Sequence, residues 1–306
     1  MKAKRSLLGQ ISQNKIIYLM LLPGIFFLIV FAIYPILWIV KNMFYHYTSF
    51  GDYAFSGIDN FLKLMQDELF WNACKNTVVY AAGKMVITIP LAFIFAFILN
   101  SKLKGRMAYR TVIFMPTIIS VSVMSMVFYL IFNPYNGSVN QVLMALGLIE
   151  KPINWFDSSH SMATVLFVAV WGAVGNYMIY FLSGLQTISK EVYESAEIDG
   201  ATGWKKLRYI TIPMMAPISQ MVIMLALTQA FKDYENIMVL TGGGPDYKTE
   251  VLYLYIYRLF FPMGDAGGNV VLQYGYGSAV SFVTAILVGI ITAVYLRWSR
   301  NMNDAA

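Results

Sequence analysis

The chain contains six windows of nearly continuous apolar residues, separated by shorter stretches that carry most of its charge. A helix needs about 20 apolar residues to cross the hydrocarbon core of a bilayer, and each window is long enough. The pattern predicts six transmembrane helices, at residues 16–40, 77–99, 111–133, 162–186, 214–239 and 275–297. We therefore expect an all-α integral membrane protein with one transmembrane domain, residues 16–297, and no soluble domain.

The first apolar window could also be the core of a secretory signal, because four basic residues precede it. It is too long for a signal peptide, and no convincing cleavage site of small residues follows it. We interpret it as an uncleaved first span. Residues 1–15 and 298–306 then form short terminal segments.

The distribution of lysine and arginine predicts the orientation, because cytoplasmic loops are enriched in both. Two loops are basic, between spans two and three and between spans four and five. Their basic residues are Lys102, Lys104, Arg106, Arg110, Lys190, Lys205, Lys206 and Arg208. Both termini are basic as well, so both are expected in the cytoplasm, while the acidic segment at residues 42–75 is expected outside.

Composition supports a membrane protein and excludes several other classes. The chain is 58% hydrophobic and 12% charged, whereas about a quarter of the residues in globular proteins are charged. The net charge of +6 comes from dispersed loop residues without an aromatic-interleaved basic run, so no nucleic-acid partner is expected. Cys74 is the only cysteine, and neither His46 nor His160 has paired acidic ligands at metal spacing, so no metal site is expected.

The segment at residues 187–213, between spans four and five, is predicted to fold as two short helices. Ser189 is a suitable N-cap, Gly200 can end the first helix in a left-handed conformation, and Thr202 can cap the second. The second helix has an apolar face made of Trp204, Leu207 and Ile210. Pro213 suits the first turn of span five. The segment is either a docking surface for a partner or an ordinary amphipathic loop.

This segment resembles the cytoplasmic ATPase-docking loop of binding-protein-dependent ABC importers. Their pattern is Glu-Ala-Ala, two residues, Asp-Gly-Ala, five residues, an aromatic residue, and then isoleucine and proline. The matching residues are Glu194, Ser195, Ala196, Asp199, Gly200, Ala201, Leu207, Ile210 and Pro213. Ser195 departs from the first alanine and Leu207 from the aromatic residue. The resemblance implies that Glu194 is a polar anchor in the groove of the ATPase and that Gly200 permits a tight turn.

Three further stretches resemble the maltose-type carbohydrate branch of these importers. They are residues 55–61 followed by Asn76 and Thr77, residues 110–116, and residues 240–245 followed by residues 274–279. The resemblance implies a type I ABC importer permease fold in a bacterial cytoplasmic membrane. It also implies a second homologous permease, two ATPase subunits that hold ATP and magnesium, and an extracytoplasmic sugar-binding protein. The glycines at 242–244 lack the Gly-Lys-Ser/Thr ending of a phosphate loop, so they are interpreted as a turn and no cofactor is expected on this chain.

Polar and aromatic residues on spans four and five are candidates for the substrate path. Intramembrane polar groups usually face a cavity or a partner, and sugars bind amides, carboxylates and aromatic faces. The candidates are Trp171, Asn176, Tyr177, Tyr180, Gln229, Lys232, Asp233 and Asn236. Alternatively, the aromatic residues only pack between helices, and Lys232 forms an interfacial charge cluster with Asp233 or Glu235 near the outer boundary. Lys84 is interpreted as an inward-facing or snorkelling lysine rather than a transport residue.

These observations predict the permease subunit of an ATP-driven sugar importer. An ion-coupled secondary transporter or channel is the main alternative, and it would require a buried carboxylate or histidine relay in mid-span. An intramembrane enzyme would require a catalytic set of residues at membrane depth. The two histidines lie in the loops, which does not favour an enzyme.

Overall fold

The computed structural model describes residues 15–101, 103–262 and 271–303. Their contacts divide them into two compact units. The first unit contains the described residues of 15–66 and 259–283, and the second contains those of 67–258 and 284–303. The termini beyond residues 15 and 303, for which short cytoplasmic segments are predicted, lie outside the described residues.

The first predicted span belongs to the first unit and is helical throughout. Helix α1, Lys15–Leu28, continues through a π-helical turn, Ile29–Ile33, into α2, Tyr34–Asn42. Nearly all side chains from residue 16 to residue 37 are exposed in this chain. In a bilayer such apolar side chains contact lipid tails or other helices at little cost.

A hairpin follows this helix and explains the first glycine of the Tyr-Gly-Tyr-Gly sequence at residues 274–277. Strands β1, Tyr45–Tyr47, and β2, Tyr53–Phe55, pair antiparallel, and a short helix, α3, Asp59–Gln66, follows them. A Cβ on Gly275 would lie 2.0 Å from the Tyr45 carbonyl oxygen, and one on Gly277 would lie 2.9 Å from Phe260 Cε2. Position 275 therefore requires glycine, whereas a larger residue at position 277 would have to displace the Phe260 ring.

The second predicted span begins earlier than expected. Helix α4 is Glu68–Asn100, although its apolar window starts at residue 77. The Asp67 side chain caps it by accepting hydrogen bonds from the backbone N–H groups of Leu69 and Phe70, at 3.0 and 3.3 Å. The additional turns mix polar and apolar residues, so the continuous apolar window did not include them.

The third predicted span, residues 111–133, is wrong as a single helix. The structure has two helices, α5, Arg106–Ile118, and α6, Val121–Ile131, which are bent by 98° relative to each other. The chain bends because Ile119 and Ser120 between them have extended backbone conformations. The short helix α7, Ser138–Ala145, follows.

The fourth predicted span agrees with helix α8, Ser161–Thr187, and the fifth differs from its prediction. Beyond α9, Lys190–Ile198, the helical stretch Trp204–Met214 bends by 66° into α12, Ala216–Lys232. The stretch Trp204–Met214 consists of α10, Trp204–Lys206, a π-helical turn, Leu207–Thr211, and α11, Ile212–Met214. The span ends at Lys232 rather than at residue 239, because the next residue is extended.

Three helices complete the described chain: α13, Glu235–Leu240, α14, Leu252–Phe260, and α15, Tyr274–Asn303. The last contains the sixth predicted span. Among the described residues, four helices are long and apolar enough to cross a membrane, and six if each bent pair counts as one span. The prediction of six spans is consistent with the second count.

The core of the second unit forms where α4, α8 and α12 meet. Ala92 and Ala96 of α4 pack with Phe181 of α8 and with Val222 of α12, and all four are buried. Small residues let membrane helices approach closely. Gly175 of α8 is an example, because a Cβ there would lie 2.4 Å from the Ile113 carbonyl oxygen of α5. These close contacts hold the helices that surround the cavity described next.

Candidate functional site

A cavity of about 460 Å³ lies between α4, α8, α12 and the break between α5 and α6 in the second unit. The break itself contributes to the wall through Ile119 and Val121. Six of the predicted substrate-path residues line the cavity, and these are Asn176, Tyr177, Tyr180, Gln229, Asp233 and Asn236. The structure therefore brings together residues from both predicted spans.

Trp171 and Lys232 do not line this cavity. Trp171 borders a separate apolar groove and contacts Phe128 edge-on, with ring centroids 5.0 Å apart. This contact fits the alternative in which the aromatic residue packs between helices. Lys232 is exposed at the end of α12, and Asp233 forms its ion pair with another lysine.

That lysine is Lys84 of α4. Its Nζ atom lies 2.5 Å from Asp233 Oδ2, and the Tyr80 hydroxyl donates a hydrogen bond of 2.5 Å to the same oxygen. Lys84 is buried and lines the cavity, so it faces inward and does not snorkel. Tyr80 and Lys84 are four residues apart and share one face of α4. Two polar groups with this spacing inside an apolar helix are the signal that could have placed Lys84 in the cavity.

The amides that line the cavity have different roles. Asn236 is buried, accepts a 3.4 Å hydrogen bond from Tyr80 and donates one of 3.3 Å to the Val165 carbonyl. Its amide therefore joins helices. Asn176 and Gln229 make no hydrogen bond to any residue that the structure describes. Their donors and acceptors are available to a molecule in the cavity.

Two phenols complete the polar lining. The hydroxyl groups of Tyr177 and Tyr180 likewise have no hydrogen-bond partner within the described ranges. Together with the two unbonded amides, they place neutral donors and acceptors beside aromatic rings. This combination binds hydroxyl-rich molecules, whose hydroxyl groups form hydrogen bonds and whose C–H faces contact rings.

The segment at residues 187–213 has the two-helix character that the sequence predicts, with differences at its caps. Ser189 precedes α9 in an extended conformation but makes no capping hydrogen bond through its side chain. Gly200 has φ = +79° and ends the helix as predicted. Thr202 is not the cap of the second helix, because Gly203 occupies that position with φ = +45°.

Hydrogen bonds hold the two parts of this segment together. The Ala201 N–H donates to the Ala196 carbonyl at 2.8 Å, and Lys206 donates to the carboxylate of Glu197. Tyr193 of α9 is hydrogen-bonded to the buried Thr211 hydroxyl, with 3.1 Å between the oxygens. The segment is therefore a defined surface rather than an open loop.

The apolar face predicted for this segment is divided in the structure. Leu207 and Ile210 are partly buried, whereas Trp204 is 69% exposed. The π-helical turn changes the angular spacing of side chains, so the pattern of a regular α-helix does not apply. Ile198, Tyr209 and Ile212, which were not predicted to be part of this face, are 87%, 71% and 45% exposed and join Trp204 among the exposed apolar residues of the segment.

The predicted docking residues are mostly accessible. Glu194, Ser195, Asp199, Gly200 and Pro213 are exposed, and Ala201 and Leu207 are half-buried. Ala196 is buried against the core of its own chain, so it supports the surface and does not form it. The docking role of these residues stays a prediction.

The glycine-rich stretch at residues 241–250 is a turn, as predicted, built around a buried carboxyl group. Glu250 is 1% exposed, its Oε1 lies 3.1 Å from Arg258 Nε, and Arg258 also donates to the Gly242 carbonyl. A Cβ on Gly243 would lie 1.8 Å from Glu250 Oε2, so only glycine fits there. Burial raises the pKa of Glu250 from 4.5 to about 7, against the opposing effect of Arg258.

This buried carboxyl should make stability depend on pH. The pKa of Glu250 is higher in the folded protein than in the unfolded chain, so protonation of Glu250 stabilises the fold. This stabilisation is fully present below pH 4.5 and is lost as the pH rises through about 7. We expect the Tm in detergent to fall less over this pH range in Glu250→Gln than in wild type. Glu235→Gln, at an exposed position, is the control and should behave as wild type. An unchanged pH slope in Glu250→Gln would contradict this assignment.

Other titratable clusters offer little for metal binding. Within the described ranges, no three histidine, cysteine, aspartate or glutamate residues are grouped so that they could hold a metal ion. His160 Nδ1 instead lies 2.8 Å from Asp157 Oδ1, and this hydrogen bond lowers the pKa of Asp157. The pair sits at the start of α8 as part of the local turn.

Proteins of known type resemble this chain over nearly its whole length. The probable ABC transporter permease protein YurN of Bacillus subtilis is 33% identical over 295 residues, which cover 95% of this chain and 98% of that protein. The lactose transport system permease protein LacF of Rhizobium radiobacter is 33% identical, and the match covers 90% of this chain and 91% of that protein. The trehalose/maltose transport system permease protein MalF of Thermococcus litoralis is 31% identical, and the match covers 95% of this chain and 96% of that protein.

Solved structures agree with these relatives. A chain of a bacterial ABC transporter involved in the import of the acidic polysaccharide alginate has a TM-score of 0.82 and 26% identity, with 96% of this chain and 98% of that chain covered. The structure of the alginate transporter in complex with an alginate pentasaccharide-bound periplasmic protein also has a TM-score of 0.82, with 25% identity. This match covers 97% of this chain and 98% of that chain. These matches support the type I importer permease fold.

A family model decides the membership. The model described as binding-protein-dependent transport system inner membrane component matches residues 88–304, which is more than half of the chain. These residues include the cavity helices α8 and α12 and the whole segment at 187–213. The chain therefore belongs to the family of inner membrane components of binding-protein-dependent transport systems, and it is a transport subunit rather than an enzyme.

Proposed function

We propose that this chain is a permease subunit of an ATP-driven importer and that it moves a saccharide across the bacterial inner membrane. The observation that carries the proposal is a cavity between membrane helices, lined by amides and phenols that have no hydrogen-bond partner among the described residues. They are Asn176, Gln229, Tyr177 and Tyr180. A group of unbonded polar side chains in such a place is costly unless a ligand uses it. The names of LacF and MalF, which refer to sugars, support the same substrate class.

In this proposal energy enters through the segment at residues 187–213. Its exposed residues Ile198, Trp204 and Tyr209 form an apolar surface of the kind that proteins use for contacts. The partner is a pair of ATPase subunits that hold ATP and magnesium, and this segment and both termini lie in the cytoplasm. ATP-driven closure of the ATPase pair would then move the docked segment and switch the cavity between inward-facing and outward-facing states.

The remaining partners follow from the same proposal. A second homologous permease completes the pathway, and an extracytoplasmic binding protein delivers the saccharide. The alginate transporter, whose complex contains a periplasmic protein, supports a delivery partner. The ion-coupled alternative receives no support from the family to which the chain belongs.

Affinity purification of the chain in mild detergent tests this proposal. We expect a second permease and an ATPase to copurify, and the complex to hydrolyse ATP faster when its binding protein carries the cognate saccharide. A panel of neutral and acidic oligosaccharides, each with and without the binding protein, would identify that saccharide. Recovery of the chain alone, with no saccharide that stimulates ATP hydrolysis, would contradict the proposal.

A further inference from the structure

The cavity contains one positive and one negative charge in direct contact. Among the described residues that line it, Lys84 and Asp233 are the only charged ones. Their side chains are 9% and 13% exposed, and 2.5 Å separates Lys84 Nζ from Asp233 Oδ2. The lining therefore has no net charge, and neither charge is left unpaired.

The pair is fixed in place by its neighbours. Tyr80 donates to the same carboxylate oxygen that Lys84 contacts, and Asn236 receives a weaker bond from Tyr80. A negatively charged ligand that recruited Lys84 would have to separate this arrangement and leave the Asp233 carboxylate buried without its cation. Removal of one partner from a buried pair is strongly unfavourable.

We propose that the Lys84–Asp233 pair makes the cavity selective for saccharides without a net charge, and against uronates and phosphorylated sugars. This inference rests on the proposed function. A neutral sugar can use Asn176 and Gln229 without disturbing the pair, whereas an anion finds no unpaired cation. Because the two charged side chains are largely buried, one uncompensated charge changes the preference for an anionic ligand on the order of tenfold or more.

Four permeases with different cavity charges test this selectivity. They are wild type, Lys84→Gln, Asp233→Asn and the double variant, each assembled with the same partner subunits and binding protein in proteoliposomes. The probes are the neutral oligosaccharide that the wild-type complex imports and its derivative with one primary alcohol oxidised to a carboxylate. The measured quantity is the ratio of the uptake of the carboxylate to the uptake of the neutral probe.

The single variants should change this ratio in opposite directions. Asp233→Asn leaves Lys84 unpaired and is expected to raise the ratio about tenfold, whereas Lys84→Gln lowers it. The double variant restores a neutral cavity and should return the ratio to within about twofold of wild type. Since the binding protein is the same throughout, a change reports the permease. Equal ratios in all four permeases would overturn the inference.

A variant that keeps the pair intact covers the case in which the single variants fail to assemble. Thr228 lines the cavity, and among the described residues its hydroxyl is hydrogen-bonded only to the carbonyl groups of Met224 and Leu225 in its own helix. Thr228→Lys adds a cation and should raise the ratio, whereas Thr228→Gln should not. A Thr228→Lys permease that imports the neutral probe with an unchanged ratio would overturn the inference. If wild type imported no saccharide at all, the proposed function would fail instead.

Discussion

Replacing Gly200 with aspartate is expected to reduce ATP-driven uptake about tenfold or more while the protein remains inserted and folded. Gly200 has φ = +79°, a conformation that aspartate tolerates better than most residues, and apart from its two chain neighbours no described residue has an atom within 4 Å of the Cβ position. The effect would therefore arise at the partner, where an unpaired carboxylate buried in the docking interface reduces coupling about tenfold or more. Uptake and ATPase copurification, at equal expression, measure it.

Gly105 offers a matched control for this substitution. It also has a left-handed backbone, with φ = +76°, and it lies in another loop, before α5. Gly105→Asp introduces the same side chain with the same backbone strain, and we expect it to retain uptake. If Gly200→Asp transported as well as Gly105→Asp, the segment at 187–213 would not be the docking surface.

Replacing Asn176 and Gln229 together with leucine is expected to raise the KM for saccharide uptake on the order of tenfold to a hundredfold. The two amides are the unbonded ones in the cavity, so their loss removes hydrogen bonds to the ligand without breaking any bond within the described part of the chain. ATP hydrolysis without substrate should persist, because the docking segment is unchanged. Uptake kinetics in proteoliposomes give KM and the maximal rate separately.

Gln66→Leu is a suitable control for the loss of an amide. This residue is exposed at the end of α3, in the unit that does not contain the cavity. We expect its KM to match that of wild type. A double variant at Asn176 and Gln229 with an unchanged KM would show that the saccharide does not contact these amides.

The spans were largely predictable from the sequence, because long apolar windows have few alternatives to a membrane helix. The breaks were not. Ile119 and Ser120 are unremarkable in composition, so the apolar pattern gave no sign of their extended conformations. The early start of α4 was missed for another reason, since its first turns mix polar and apolar residues and begin at a cap formed by Asp67.

The cavity was predictable only in part. Polar residues on the fourth and fifth spans stood out because such residues are rare in membrane helices. The pairing of Lys84 with Asp233 was missed, because the two residues are far apart in sequence and meet only in the folded protein. In the segment at 187–213, Gly200 was correctly assigned from local backbone chemistry, whereas the π-helical turn at Leu207–Thr211 left no signal in the apolar pattern.

Transport into proteoliposomes tests the importer assignment most directly. The complex of this chain with its partner permease, ATPase subunits and binding protein would be reconstituted, and uptake of labelled saccharide measured with ATP on the ATPase side. The assignment predicts uptake that requires both hydrolysable ATP and the binding protein and that persists when ionophores collapse the proton and sodium gradients. Uptake driven by an ion gradient without ATP would contradict it.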